Sequence, residues 1–88
     1  MSTSEFMRKI EQLNGIEAKV VLEHCLFDGQ RFYCRQLQTI NDSERIGVLL
    51  KEHEIFMYKQ NVKVAEVQGN TYILSDGRLT ITINVNKL

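Results

Sequence analysis

Four side chains in this sequence belong to the types that hold soft metals or carry thiol chemistry: His24, Cys25, Cys34 and His53. They lack the paired short spacing of a zinc knuckle or ribbon, and His24 and Cys25, adjacent on a strand, point to opposite faces. No metal site is expected. A thiol nucleophile needs an oriented base beside it, and nothing in the spacing brings either cysteine to either histidine. Cysteines of small β domains pack as small hydrophobes. The triplet Glu52-His53-Glu54 reads as a solvated charged turn. There is no Gly-rich phosphate loop and no nucleophile elbow. The expectation is a protein that is not an enzyme and needs no cofactor.

Recognition chemistry has more to work with. Arg31, Tyr33 and Arg35 alternate along one stretch, so on a strand they share a face. A basic and aromatic stripe of this kind holds single-stranded bases by charge and stacking. Read the other way, it is a solvated outer face whose arginines pair with Glu17 and Glu23, and that is the preferred reading.

The elements that must position these residues are short. The chain has 88 residues, 43% of them hydrophobic and 25% charged, which suits one globular domain over residues 1–88. Eleven Lys+Arg balance eleven Asp+Glu, so no concentrated basic footprint for duplex nucleic acid is evident. No apolar run approaches the roughly 20 residues of a membrane span, and the N-terminal stretch MSTSEFMRKIEQ carries no signal core. A cytoplasmic location is expected. A domain this small is marginal alone, so self-association is expected too.

Ser2 and Glu5 have capping-box spacing, and Phe6, Ile10 and Leu13 fall on one face, which predicts a helix over residues 3–13 stopped at Asn14-Gly15. Residues 1–15 form this N-terminal helical part and residues 16–88 an antiparallel β part. The helix's apolar stripe either covers the domain's own sheet or docks a partner. From Ile16 the period changes to two. Residues 20–40 read as a hairpin turning at Asp28-Gly29, with a second strand over residues 31–40. A three-residue loop is preferred, since it sets Arg35 opposite Glu23 and apolar residues on one face. In that register Cys25 and Cys34 point to opposite faces. A two-residue loop leaves them diagonal, so two free, partly buried thiols are expected. Further strands are predicted over residues 45–51, with Gly47 a bulge or bend, and over 55–58, 62–67, 71–74 and 79–85. The last alternates Leu79, Ile81, Ile83 and Val85 with Thr80, Thr82 and Asn84.

Phe27–Asn41, FDGQRFYCRQLQTIN, resembles the first signature of the Sm-like family of Lsm proteins and bacterial Hfq: an Asp-Gly turn, an aromatic (Phe32 or Tyr33), a small residue (Cys34), Leu37, then an amide at Asn41. ILSDGRLTI, residues 73–81, stands where the second signature falls. The resemblance implies a small open barrel and ring-like assembly, and it implies contact with uridine-rich RNA through the loop after the second strand. Here that loop reads Asp42-Ser43-Glu44-Arg45, without a stacking ring, and Ser75-Asp76 replaces the family's Arg-Gly. The expected architecture is mainly β, an N-terminal helix followed by a strongly bent antiparallel sheet or small open barrel. The expected function is a non-enzymatic module that self-associates, with a protein partner conceivable at the N-terminal helix or the last strand. The alternative is weak single-stranded RNA binding through Arg31, Tyr33, Arg35, Asn41 and Arg45.

Overall fold

The four-residue spacing of Phe6 and Ile10 puts their side chains on one stripe, and winding that stripe inward makes helix α1, Thr3–Glu11, shorter than the expected 3–13; Leu13 lies in the turn that follows. The computed structural model describes residues 3–85, so Ser2 of the expected capping box lies outside the described residues. All three apolar side chains are buried, and Phe6 meets Tyr72 edge-to-face with ring centroids 6.3 Å apart. The stripe therefore covers the domain's own sheet and is not left for a partner. After the helix, Gly15 adopts φ +82°, and the chain turns into strand β1, Ala18–His24.

β1 and β2, Phe27–Cys34, form the expected hairpin, but its turn is Cys25-Leu26 and not Asp28-Gly29. Ala18 faces Cys34, Val20 faces Phe32, and Leu22 faces Gln30; beyond them His24 faces Phe27. That register leaves Glu23 alone opposite Asp28 and Gly29, so the pair sits in a β-bulge. One distant bond and one local one hold the turn where it is. The Cys25 N–H donates to the Arg78 carbonyl at 3.2 Å, and the Leu26 N–H donates to His24 Nδ1 at 3.1 Å. Both thiols are free. Cys34 is half-buried, as expected, but Cys25 is exposed at the turn.

The second strand also ends earlier than its pattern suggests. Leu37 leaves the sheet with its side chain fully buried, donating its N–H to Ile16 and accepting from the N–H of Gly15. The chain then restarts as β3, Gln38–Asn41, in a second sheet. Arg35 lies between the two strands, so it is not opposite Glu23.

β4, Arg45–Leu50, pairs with β3 on one side and with β5, His53–Tyr58, on the other. Its two-residue turn to β5 has Lys51 at φ 48° and Glu52 at φ 71°, the left-handed pair of a type I′ hairpin. Gly47 is no bulge: it sits in register between Ile40 and Phe56, where the backbone of β5 occupies the space a Cβ would need. A 3-10 turn, Lys59–Asn61, leads to β6 (Val64–Gln68), β7 (Thr71–Ser75) and β8 (Leu79–Val85).

The fold is mainly β. Eight strands form two antiparallel sheets among the described residues, β2-β1-β8-β7-β6 and β3-β4-β5, and the sheets do not close into a barrel. Alternation decides what lies between them. Ala18, Val20, Leu74, Ile81 and Ile83 from the larger sheet meet Ile46, Val48, Leu50 and Met57 from the smaller, with α1 closing the end. β8 pairs with β1 and β7 at once, so its backbone offers no free edge.

Candidate binding surfaces

The outer face of the five-stranded sheet carries the side chains that alternation turns away from the core. Register sets Lys19 beside Tyr33 and Val21 beside Arg31, and Asn84 lies on the far side of Lys19. Together they line a shallow depression of about 520 Å³. Tyr33 is 57% exposed, and a hydrogen bond from its hydroxyl to Glu17, helped by partial desolvation, holds its pKa above the ordinary value while Arg35 pulls it down. Arg31, Tyr33 and Arg35 thus remain neighbours, although Arg35 stands past the strand's end. Glu17 accepts from the aromatic hydroxyl, a contact with Tyr33 where the expectation was one with the arginines. Lys19 is a cation of this face that the stripe pattern missed. Its alternation with Ala18 and Val20 placed it outward, but only the hairpin register puts it beside Tyr33.

The other two residues expected in the RNA site stand elsewhere, engaged in structural contacts. Asn41 donates through Nδ2 to Glu11 Oε1 at 2.6 Å, tying β3 to the end of α1. Thr39 donates to Asn14 Oδ1 through its N–H at 2.8 Å and through its hydroxyl at 2.9 Å, so the outer side of β3 is covered by the helix end. Arg45 donates through Nε to Asp42 and through Nη1 to Glu54, each at 2.7 Å, and its guanidinium stacks 4.8 Å from the Phe56 ring centroid. Asp42 accepts in addition from the N–H groups of Glu44 and Arg45 at 2.9 and 2.7 Å, while its carbonyl accepts from Lys59 Nζ. The Glu44 N–H first, then the Arg45 guanidinium and the Arg45 N–H, hold the Asp42 carboxyl at about 2. Asp76 works similarly at the turn into β8. Burial pushes its pKa up, and the N–H groups of Leu79 and Arg78, at 2.9 and 2.8 Å from Oδ1, more than reverse that.

The soft-ligand residues do not converge. Cys25 Sγ lies 3.9 Å from His24 Nδ1, whereas Cys34 is at the opposite end of the hairpin, paired with Ala18, and His53 begins β5. Among the described residues there is no group of three or more histidine, cysteine, aspartate or glutamate side chains placed to hold a metal ion. Burial raises the Cys34 thiol pKa, which disfavours the thiolate that nucleophilic chemistry requires.

A second surface, which the sequence did not announce, is a groove of about 340 Å³ between the sheets at the Cys25-Leu26 end. Leu22, Ile55, Phe56 and Leu79, all half-buried, form its walls, with His24 and Glu54 at its rim. No described helix is long and apolar enough to cross a membrane. No family model, curated protein or solved structure matches this chain.

Proposed function

We propose that the chain is a non-enzymatic interaction module that assembles with copies of itself through open sheet edges. One observation carries this reading. Among the described residues, the large hydrophobic side chains that stand exposed are Leu26, Tyr33, Tyr58 and Val64, and each belongs to an outer strand or to the turn beside one. Among the described residues β2, β5 and β6 have no strand beyond them, whereas β3 is bonded on its outer side to the end of α1 and the turn after it. An uncovered outer strand offers unpaired N–H and C=O groups to another chain. β2 is bulged at Asp28-Gly29, which weakens it as a template, so β5 and β6 are the better pair. Pairing β5 of one copy with β6 of the next joins unlike surfaces, and such contacts close into a ring or run on as a filament. The ring-like assembly implied by the Sm-like resemblance is the closed version of this contact. Unbridged thiols support a reducing, cytoplasmic setting.

Light scattering across a concentration series tests the assembly. The mass is expected to exceed the 10.3 kDa of one chain and to fall towards it in a Tyr58→Lys, Val64→Lys double variant. A strict monomer at high micromolar concentration sinks the reading. A second reading, weak single-stranded RNA binding, is supported by Lys19, Arg31 and Tyr33 lining one depression. It expects a uridine-rich oligonucleotide to bind at low salt and Tyr33→Ala to weaken it; absence of binding at low salt ends it.

A further inference from the structure

The inter-sheet groove and the Cys25-Leu26 turn stand at one end of the molecule, and they are complementary. Leu26 is 78% exposed, the most exposed of the large hydrophobic side chains among the described residues. It is also held in place: its own N–H donates to His24 Nδ1, and that of Cys25 donates to the Arg78 carbonyl. An apolar knob on a held backbone has only its side-chain freedom to lose on docking. The groove beside it is walled by Leu22, Ile55, Phe56 and Leu79, and its volume of about 340 Å³ lies in the range that accepts a small apolar group. Leu26 does not fill the groove of its own chain, since its exposure leaves it in solvent.

We propose that two copies of this chain dock reciprocally, each seating Leu26 in the inter-sheet groove of the other. Position argues for a second copy as the occupant. His24 lines the groove and also anchors Leu26, so knob and hole adjoin on one surface. A two-fold axis beside them brings each knob to the other copy's hole, the self-complementary patch an isologous contact requires. Charge agrees. The rim carboxylate Glu54 is already paired with Arg45 at 2.7 Å, so an incoming leucine buries no uncompensated charge there. The contact involves a hairpin tip and a groove on each side, well below the area of a permanent interface, and it forms at high micromolar concentration. It is a different surface from the β5 and β6 edges and does not depend on their pairing.

The experiment uses the full chain carrying Cys34→Ser, which leaves Cys25, next to the knob, as the sole thiol. A short bis-maleimide is expected to trap a Cys25-linked dimer at high micromolar protein. Leu26→Asp is expected to lower the yield by about tenfold or more, and Leu26→Met to keep it. Ile55→Asn, checked for folding by its thermal melt, removes one wall and is expected to lower the yield with Leu26 intact. The Tyr58→Lys, Val64→Lys variant blocks edge pairing and is expected to leave the crosslink unchanged. Crosslinking that survives Leu26→Asp overturns the proposal. So does a chain that gives no crosslink, whether it stays monomeric or assembles; in the latter case the edge reading stands by itself.

Discussion

Replacing Gly47 by alanine tests the account of how the three-stranded sheet is built. A Cβ at this position overlaps the Ile55 carbonyl oxygen and stands 2.6 Å from Phe56 Cα and 2.9 Å from the Ile55 carbonyl carbon. These are backbone atoms of β5, so no side chain can swing aside to make room. Relief requires β4 and β5 to separate by on the order of 1 Å, against an ordinary strand spacing of about 4.8 Å. Such a shift weakens the two or so ladder hydrogen bonds nearest Gly47, at roughly 0.5–1.5 kcal/mol each. Overpacking adds about 1–3 kcal/mol, because Ile46 and Val48 on either side are fully buried and cannot follow freely. The sum is about 2–6 kcal/mol. A domain of 88 residues is typically stable by roughly 4–13 kcal/mol, so Gly47→Ala takes a large share of the total. Urea unfolding followed by circular dichroism measures the loss, and amide exchange locates it in β5. Gly29→Ala is the matched control, since a Cβ there meets nothing closer than 3.6 Å and the expected change is under about 1 kcal/mol. A Gly47→Ala chain within about 0.5 kcal/mol of the parent, with the same amide protection in β5, refutes the close-approach argument.

Three further outcomes follow from the same structure. Glu52→Gly relieves a left-handed residue (φ 71°) in the β4–β5 turn and is expected to stabilise the domain by about 0.5–1 kcal/mol, read as a higher urea midpoint. Phe6→Ala removes the fully buried ring that joins α1 to Tyr72 and is expected to cost about 3–5 kcal/mol, with the helix losing amide protection first. Asp42 has a folded pKa of about 2 against an ordinary 3.8, so its stabilising contribution is complete above the ordinary value and is lost as pH falls from about 4 to 2. The parent is therefore expected to lose melting temperature over that window, and Asp42→Asn to lose less there; equal acid slopes for the two chains contradict the assignment.

Local patterns carried much of the architecture. The helix stripe Phe6-Ile10 and the strict alternation of Leu79–Val85 are legible because burial on one face imposes a period that the sequence records residue by residue. The outward placement of Arg31 and Tyr33 follows from the same rule. The turn at Asp28-Gly29 was a local preference, and tertiary structure overruled it. Placing Ala18 and Val20 against the core opposite Cys34 and Phe32 required a bulge in β2, and the Arg78 carbonyl, more than fifty residues away in sequence, anchors the real turn. Arg35 left the strand because Leu37 bonds to Gly15 and Ile16, and Asn41 and Arg45 left the candidate RNA face because Glu11, Asp42 and Glu54 claim them. Exposure of Leu26 and the groove beside it likewise depends on how two sheets meet. The sequence by itself determined which faces are apolar, since period is a property of neighbouring residues. Which residues sit together at a surface was decided by register and by hydrogen bonds between distant segments, and those exist only once the chain has folded.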